Sequence, residues 1–297
     1  MVTRLDDFGW WPVRCTAALD VVTVVAPDGD ATLRRWRRDG VEVGRLPIAP
    51  PSAAARGAPW DGYWVHHWVP KADRARWGVA VRSAEPIRRY GLTPALVAEP
   101  VFDRWVHSSD VLSASADGRV VASRPHASGA VVFRDGVSLG DPRGETMEVS
   151  PDGSAVLVDG ARVLRVAPGL PRDWTLDDPR IPEPGWESFG SWSFDGTRLL
   201  LVNGAWGSSF VAEADAWDGT VAWVVDAPRR IDAIAPLGRR AWVIATDARV
   251  GVLEAGRWTW TSAPLASPAT HVAPCGTRGD AFSTRSDDGT IQVWVRE

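Results

Sequence analysis

The chain has 297 residues, a formal net charge of −4, 45% hydrophobic and 24% charged residues, which are globular values for a chain long enough to bury most of its apolar surface. The negative balance excludes a general nucleic-acid binder, which needs a basic stripe to displace counterions from phosphates. No uncharged run reaches membrane-spanning length, and the start, MVTRLDDFGWW, places acids where a signal peptide needs an apolar segment.

Taken in chain order, one phrase recurs: a short apolar or small-residue run, a turn with Gly or Asp, then a second β-rich run. Its copies are VRCTAALD with VVTVVAPDG (13–29), WVPKAD with RARWGVAVR (68–82), and VLSASADG with RVVASRP (111–125). They continue as MEVSPDG with SAVLVDG (147–160), SWSFDG with TRLLLVNG (191–204), DAIAPLG with RRAWVIAT (232–246), and HVAPCGTRG with DAFSTRSDDG (271–289). The turns fall near residues 20, 73, 118, 153, 196, 238 and 276, a spacing in the range of propeller blades. Third and fourth runs follow, as in AVVFRDG with VSLGDP (130–142) and VGVLEAG with RWTWTSAP (250–264). Asp135-Gly136, Asp218-Gly219 and Asp288-Gly289 lie between alternating runs, where a hairpin needs φ > 0. Sustained helical periodicity is absent. Four short antiparallel strands per unit, repeated, predict a single all-β domain over 1–297, a seven-bladed β-propeller. Residues 2–8 are expected to supply the outer strand of the last blade against TIQVWV, closing the ring.

The last unit, RSDDGTIQVWV (285–295), and the SPDG of 150–153 resemble a WD-repeat blade. The Gly-His dipeptide of that family is missing and its terminal Trp-Asp is present only as the displaced Trp217-Asp218; TolB-like propellers are the near alternative. The resemblance implies that loops entering each first strand share a face with those joining second and third strands. Those entry loops carry Trp10, Trp11, Trp60, Trp105 and Trp186, with His107 near the start of blade three, and the other loops carry His126 and Trp206. Converging aromatics with a few polar groups suit a binding surface. Equally, Trp can seal blades, the role expected of Trp68, Trp192, Trp242 and Trp294. The chain has 18 Trp against 2 Tyr.

Aligned on their turns, the first strands give a column: Cys15, His67, Ser113, Glu148, Ser191, Ala233 and His271. If it faces the channel, His67, His271 and Glu148 are candidates for acid–base catalysis, and Cys15 with the two histidines for metal binding; the bland alternative is a channel of small polar groups. His107 and Asp110 form a weaker candidate pair. Phosphate-loop, nucleophile-elbow and zinc-site patterns are absent from the sequence. The segments 47–62 and 168–186 read as long irregular loops. Two cysteines are too few for a disulfide framework, so a reducing compartment, the cytoplasm, is expected.

A ligand- or protein-binding propeller is therefore the leading expectation, with a protein, peptide or small molecule as partner, no membrane, and a monomeric state. No cofactor or metal is assigned. The alternative is an enzyme of lyase, cyclase or hydrolase type acting on a small aromatic or apolar molecule at the channel mouth.

Overall fold

The computed structural model describes residues 2–4, 14–15, 19, 21–25, 32–37, 39–47, 63–64, 77–81, 88–92, 98–102, 109–115, 119–125, 131–134, 137–140, 147–166, 173–181, 188–203, 209–227, 230–275 and 278–296. Among them are twenty-eight strands and no helix. After β1 (Val2–Arg4), the first sheet holds β2 (Arg14–Cys15), β3 (Val21–Val25), β4 (Thr32–Trp36) and β5 (Glu42–Pro47). The second holds β6 (Tyr63–Trp64), β7 (Trp77–Val81), β8 (Arg88–Leu92) and β9 (Ala98–Phe102), and the third β10 (Ser109–Ala114), β11 (Val120–Pro125), β12 (Val131–Arg134) and β13 (Val137–Gly140). The fourth holds β14 (Met147–Val149), β15 (Ala155–Val158), β16 (Arg162–Arg165) and β17 (Trp174–Thr175), and the fifth β18 (Ser188–Trp192), β19 (Arg198–Asn203), β20 (Ser209–Asp215) and β21 (Val221–Ala227). The sixth holds β22 (Ile231–Leu237), β23 (Ala241–Thr246), β24 (Val250–Glu254) and β25 (Arg257–Thr261). The last is made of β26 (Ala269–Pro274), β27 (Ala281–Ser286) and β28 (Thr290–Val295), with β1 as its fourth strand. Within the sheets all the strand pairings are antiparallel, and β1 meets β28 with Thr3 opposite Ile291.

The fourth and fifth sheets fold from the same local chemistry. In the fourth, Ser150 Oγ donates to Asp152 Oδ1 (2.7 Å) and accepts the Ala155 amide (3.0 Å), while Gly153 N donates to Ser150 O. Ser193, Asp195, Gly196 and Arg198 repeat every one of these bonds in the fifth. Gly153 and Gly196 take φ of 70° and 71°, which a side chain would resist. The Ser-x-Asp-Gly phrase is thus a turn whose side chains satisfy its own backbone.

Strand alternation then builds the core between sheets. Leu199 and Leu201 of β19 pack with Leu157 and Val163 of the fourth sheet, whereas Leu200 and Val202 pack with Trp242 and Ile244 of the sixth. A strand buried on both faces reads as a continuous apolar run, which is why RLLLVN shows no polar alternation. The same two-sided sharing joins the third sheet to the fourth, the sixth to the last, and the last to the first. First strands meet in the series β10, β14, β18, β22, β26, β2.

Three expectations are corrected. Cys15 and Cys275 form a disulfide across 260 residues, joining β2 to the residue following β26. Cys15 is 6% exposed and belongs to the apolar cluster shared by the first and last sheets. Two cysteines thus suffice to clasp the first sheet to the last. The first strand of the second sheet is Tyr63–Trp64, ahead of the expected run at 68–73. Finally, the segment 168–186 is not wholly irregular, because Trp174–Thr175 is the fourth strand of the fourth sheet.

Candidate functional site

The described part of the polar column is Ser113, Glu148, Ser191, Ala233 and His271, with Cys15 diverted into its disulfide. Ser113, Glu148 and Ser191 occupy one register: they face Ala122, Leu157 and Leu200, each nine positions on in the next strand. Their neighbours in the chain explain the facing of this set. Met147 and Val149 are drawn into the cluster with the third sheet, which turns Glu148 the other way.

Glu148 is held by two consecutive residues of β18. Ser191 Oγ donates to its Oε1 at 3.2 Å, and the Trp192 indole donates to its carbonyl at 2.9 Å. Ser113 Oγ accepts the neighbouring Val149 amide at 2.9 Å. Burial away from any countercharge pushes the Glu148 carboxyl up to about 8, although the bond from Ser191 pulls the other way. At neutral pH the group is therefore largely a neutral acid, able to donate its proton in a hydrogen bond or accept one through its carbonyl oxygen.

His271, half-buried on β26, lies opposite Arg285, and its Nδ1 is 3.2 Å from Thr270 Oγ1. Strands β18 and β22 stand between it and Glu148, so the structure does not bring these two together as an acid–base pair. Cys15, bonded to Cys275, has no thiolate to offer a metal or a proton. Among the described residues no group of three His, Cys, Asp or Glu is placed to hold a metal ion. His67, Trp10, Trp11, Trp60, Trp105, His107, His126, Trp186 and Trp206 lie outside the described residues, while Asp110 is in β10 opposite Arg124.

Several tryptophans do seal the sheets, and they do so through polar contacts. Trp192 and Trp242 are 3% and 0% exposed. The Trp242 indole donates to Glu213 Oε2 at 2.6 Å, a carboxylate that also takes Arg198 Nη1 at 2.9 Å. Trp174 donates to Ala216 O at 3.2 Å and lies against Gly219, where a Cβ would come within 2.7 Å of its ring. Both the Trp242 and the Trp174 bond run from one sheet to the next, whereas Arg198–Glu213 lies within the fifth. Sequence reading did not find the Arg198–Glu213–Trp242 cluster, because nothing local marks which outward-facing acid will meet the neighbouring sheet.

No family model matches the chain, and no curated protein matches its sequence. Among solved structures, a chain of the crystal structure of the mitotic checkpoint complex is similar in fold. Its TM-score is 0.60 at 14% identity, covering 99% of this chain and 90% of that one. At that identity the likeness speaks for architecture alone. The fold is all-β and propeller-like, built of antiparallel four-stranded sheets.

Proposed function

We propose that the chain is a protein-binding propeller whose seven sheets are seven blades of one closed ring. The observation that carries the reading is the likeness, over nearly the whole chain, to a subunit of a multi-protein complex. Two features of the chain support the closed ring: first strands that touch in series from β10 round to β2, and a first strand lodged in the last sheet. The partner is a protein or peptide, held on the rim formed by the entry loops with Trp60, Trp105, Trp186 and Trp11, and by the loops with His126 and Trp206. The ring acts as a monomer, without nucleic acid. A disulfide that joins the first sheet to the last favours folding in an oxidising compartment over the cytoplasm.

The test is affinity purification of native complexes with the parent chain and with Trp60→Ala and Trp105→Ala. One protein retained stoichiometrically by the parent and lost by both variants supports the reading. A small molecule co-purifying in place of any protein, and consumed on incubation, replaces it with the enzymatic alternative. For that alternative, Glu148 is the described residue best prepared for proton transfer, since its carboxyl holds a proton near neutrality.

A further inference from the structure

Trp217 sits in the turn between β20 and β21 with 61% of its surface exposed. That turn is at the opposite end of the sheets from the entry loops, because strands alternate in direction and the third-to-fourth turn shares an end with the first-to-second. Its backbone is fixed from every side. The Trp217 amide donates to Asp215 Oδ1 at 2.7 Å, Gly219 N donates to Asp215 O, and Thr220 N donates to Asp218 Oδ1 at 2.8 Å. From the fourth sheet, Arg165 Nη2 donates to the carbonyls of Ala216 (2.7 Å) and Trp217 (2.9 Å). Its guanidinium carbon lies 5.8 Å from the centroid of the indole.

Single surface hydrophobics are ordinary, but this one is mounted at a cost. Arg165 Nε is buried with no hydrogen-bond partner, and burial lowers the guanidinium's proton affinity. A donor left unsatisfied beneath an exposed indole calls for an explanation beyond the fold. Carboxylates surround the arrangement. Asp152, Asp173 and Asp215 act electrostatically on Arg165, and Asp218 is held below the usual carboxylate range by bonds from Thr220. Arg180, which donates to the Val221 carbonyl just past the turn, is paired with Asp178, so the carboxylates still outnumber the cations around the indole.

We propose that Trp217 and these carboxylates form a docking surface for a basic segment of a partner protein. An arginine or lysine side chain stacks on the open face of the indole, and Asp173, Asp215 and Asp218 meet its charge. A rigid aromatic side chain on a fixed turn loses little freedom on binding, the property expected of an anchor. The surface is separate from the rim and does not depend on it.

The experiment is a fluorescence-anisotropy titration of the full chain with a labelled Gly-Arg-Arg-Gly-Arg-Arg-Gly peptide, and with the same peptide carrying Glu or Phe in place of Arg. The arginine peptide is expected to saturate, and Trp217→Ala to weaken it about threefold to tenfold with unchanged melting. Trp217→Phe restores part of the loss, Asp173→Asn weakens binding and added salt weakens it further. The proposal is overturned if no arginine peptide binds, if Trp217→Ala leaves its Kd unchanged, or if the Phe or Glu peptide binds as tightly. None of these results bears on Trp60 or Trp105, so failure here is distinguishable from failure of the rim.

Discussion

The junction between the fourth and fifth sheets and the junction between the last and first sheets solve one problem by different means. The former joins neighbours in the chain. It is held by Ser191 on Glu148, two indole N–H bonds, Arg165 on two carbonyls, and the shared leucines and valines of one cluster. The latter joins residues 260 positions apart and uses a covalent bond plus a transferred strand. Weak contacts suffice where the chain itself keeps two sheets together. Where chain ends must meet, loop-closure entropy is lost on folding, and a crosslink lowers that loss by restricting the unfolded ensemble.

That contrast predicts an order of effects. The largest belongs to the closing junction: Cys275→Ser, or reduction of the parent, is expected to cost about 5 kcal/mol on the loop-entropy model and lower the Tm by roughly 5–10 °C. Removing residues 1–8 exposes the edge of β28 and should add a further drop and a tendency to aggregate. Calorimetry with and without reductant checks both, and a reduced protein that melts like the oxidised one would show that the clasp is idle.

Next comes the titration at the fourth junction. Glu148 is raised in the folded chain from 4.5 to about 8, so the native state holds a proton that the unfolded chain has released. Its contribution to stability is therefore present in full below pH 4.5 and declines as pH rises towards 8, by at most about 1.4 kcal/mol per pH unit. Glu148→Gln should flatten the fall in denaturation midpoint between pH 5 and 8. An identical slope in the two proteins would place the proton elsewhere.

Smaller still is Trp242→Phe, which replaces the fully buried indole by a smaller ring and takes a donor from the buried carboxylate of Glu213. About 2–3 kcal/mol is expected from urea denaturation. Comparable is Gly190→Ala at about 3 kcal/mol, the upper end of overpacking, since its Cβ would sit 2.6 Å from Leu157 Cδ2 and 2.7 Å from Leu200 O, and the backbone carbonyl cannot yield as the leucine can. If Gly190→Ala cost more than Cys275→Ser, the ranking of the two junctions would be reversed.

The repeat was legible because its determinants are local. The Ser-x-Asp-Gly turn carries its own hydrogen bonds, so SPDG and SFDG announce both the turn and the strands around it. The return of the N-terminal segment to β28 was legible too, since the last unit lacks a fourth run. Other features are set by what stands opposite in space. Nothing in MEVSP says that Glu148 will meet Ser191, and Trp174 lies in a Pro-rich stretch that hides a two-residue strand. The Cys15–Cys275 bond did leave a signal: both residues fall at the ends of first strands, in units that a closing ring would set side by side. Counting cysteines by compartment concealed what their positions implied.

One consequence of β1 concerns the order of synthesis. A ribosome delivers Val2–Arg4 long before its partner strand Thr290–Val295, so that segment waits while the six intervening sheets are made before it has a place to dock. Until then Cys15 remains a thiol beside an unfinished sheet, open to wrong partners. Folding helpers that shield nascent chains, and an oxidant acting only after release, would serve this molecule more than one whose first strand pairs at once.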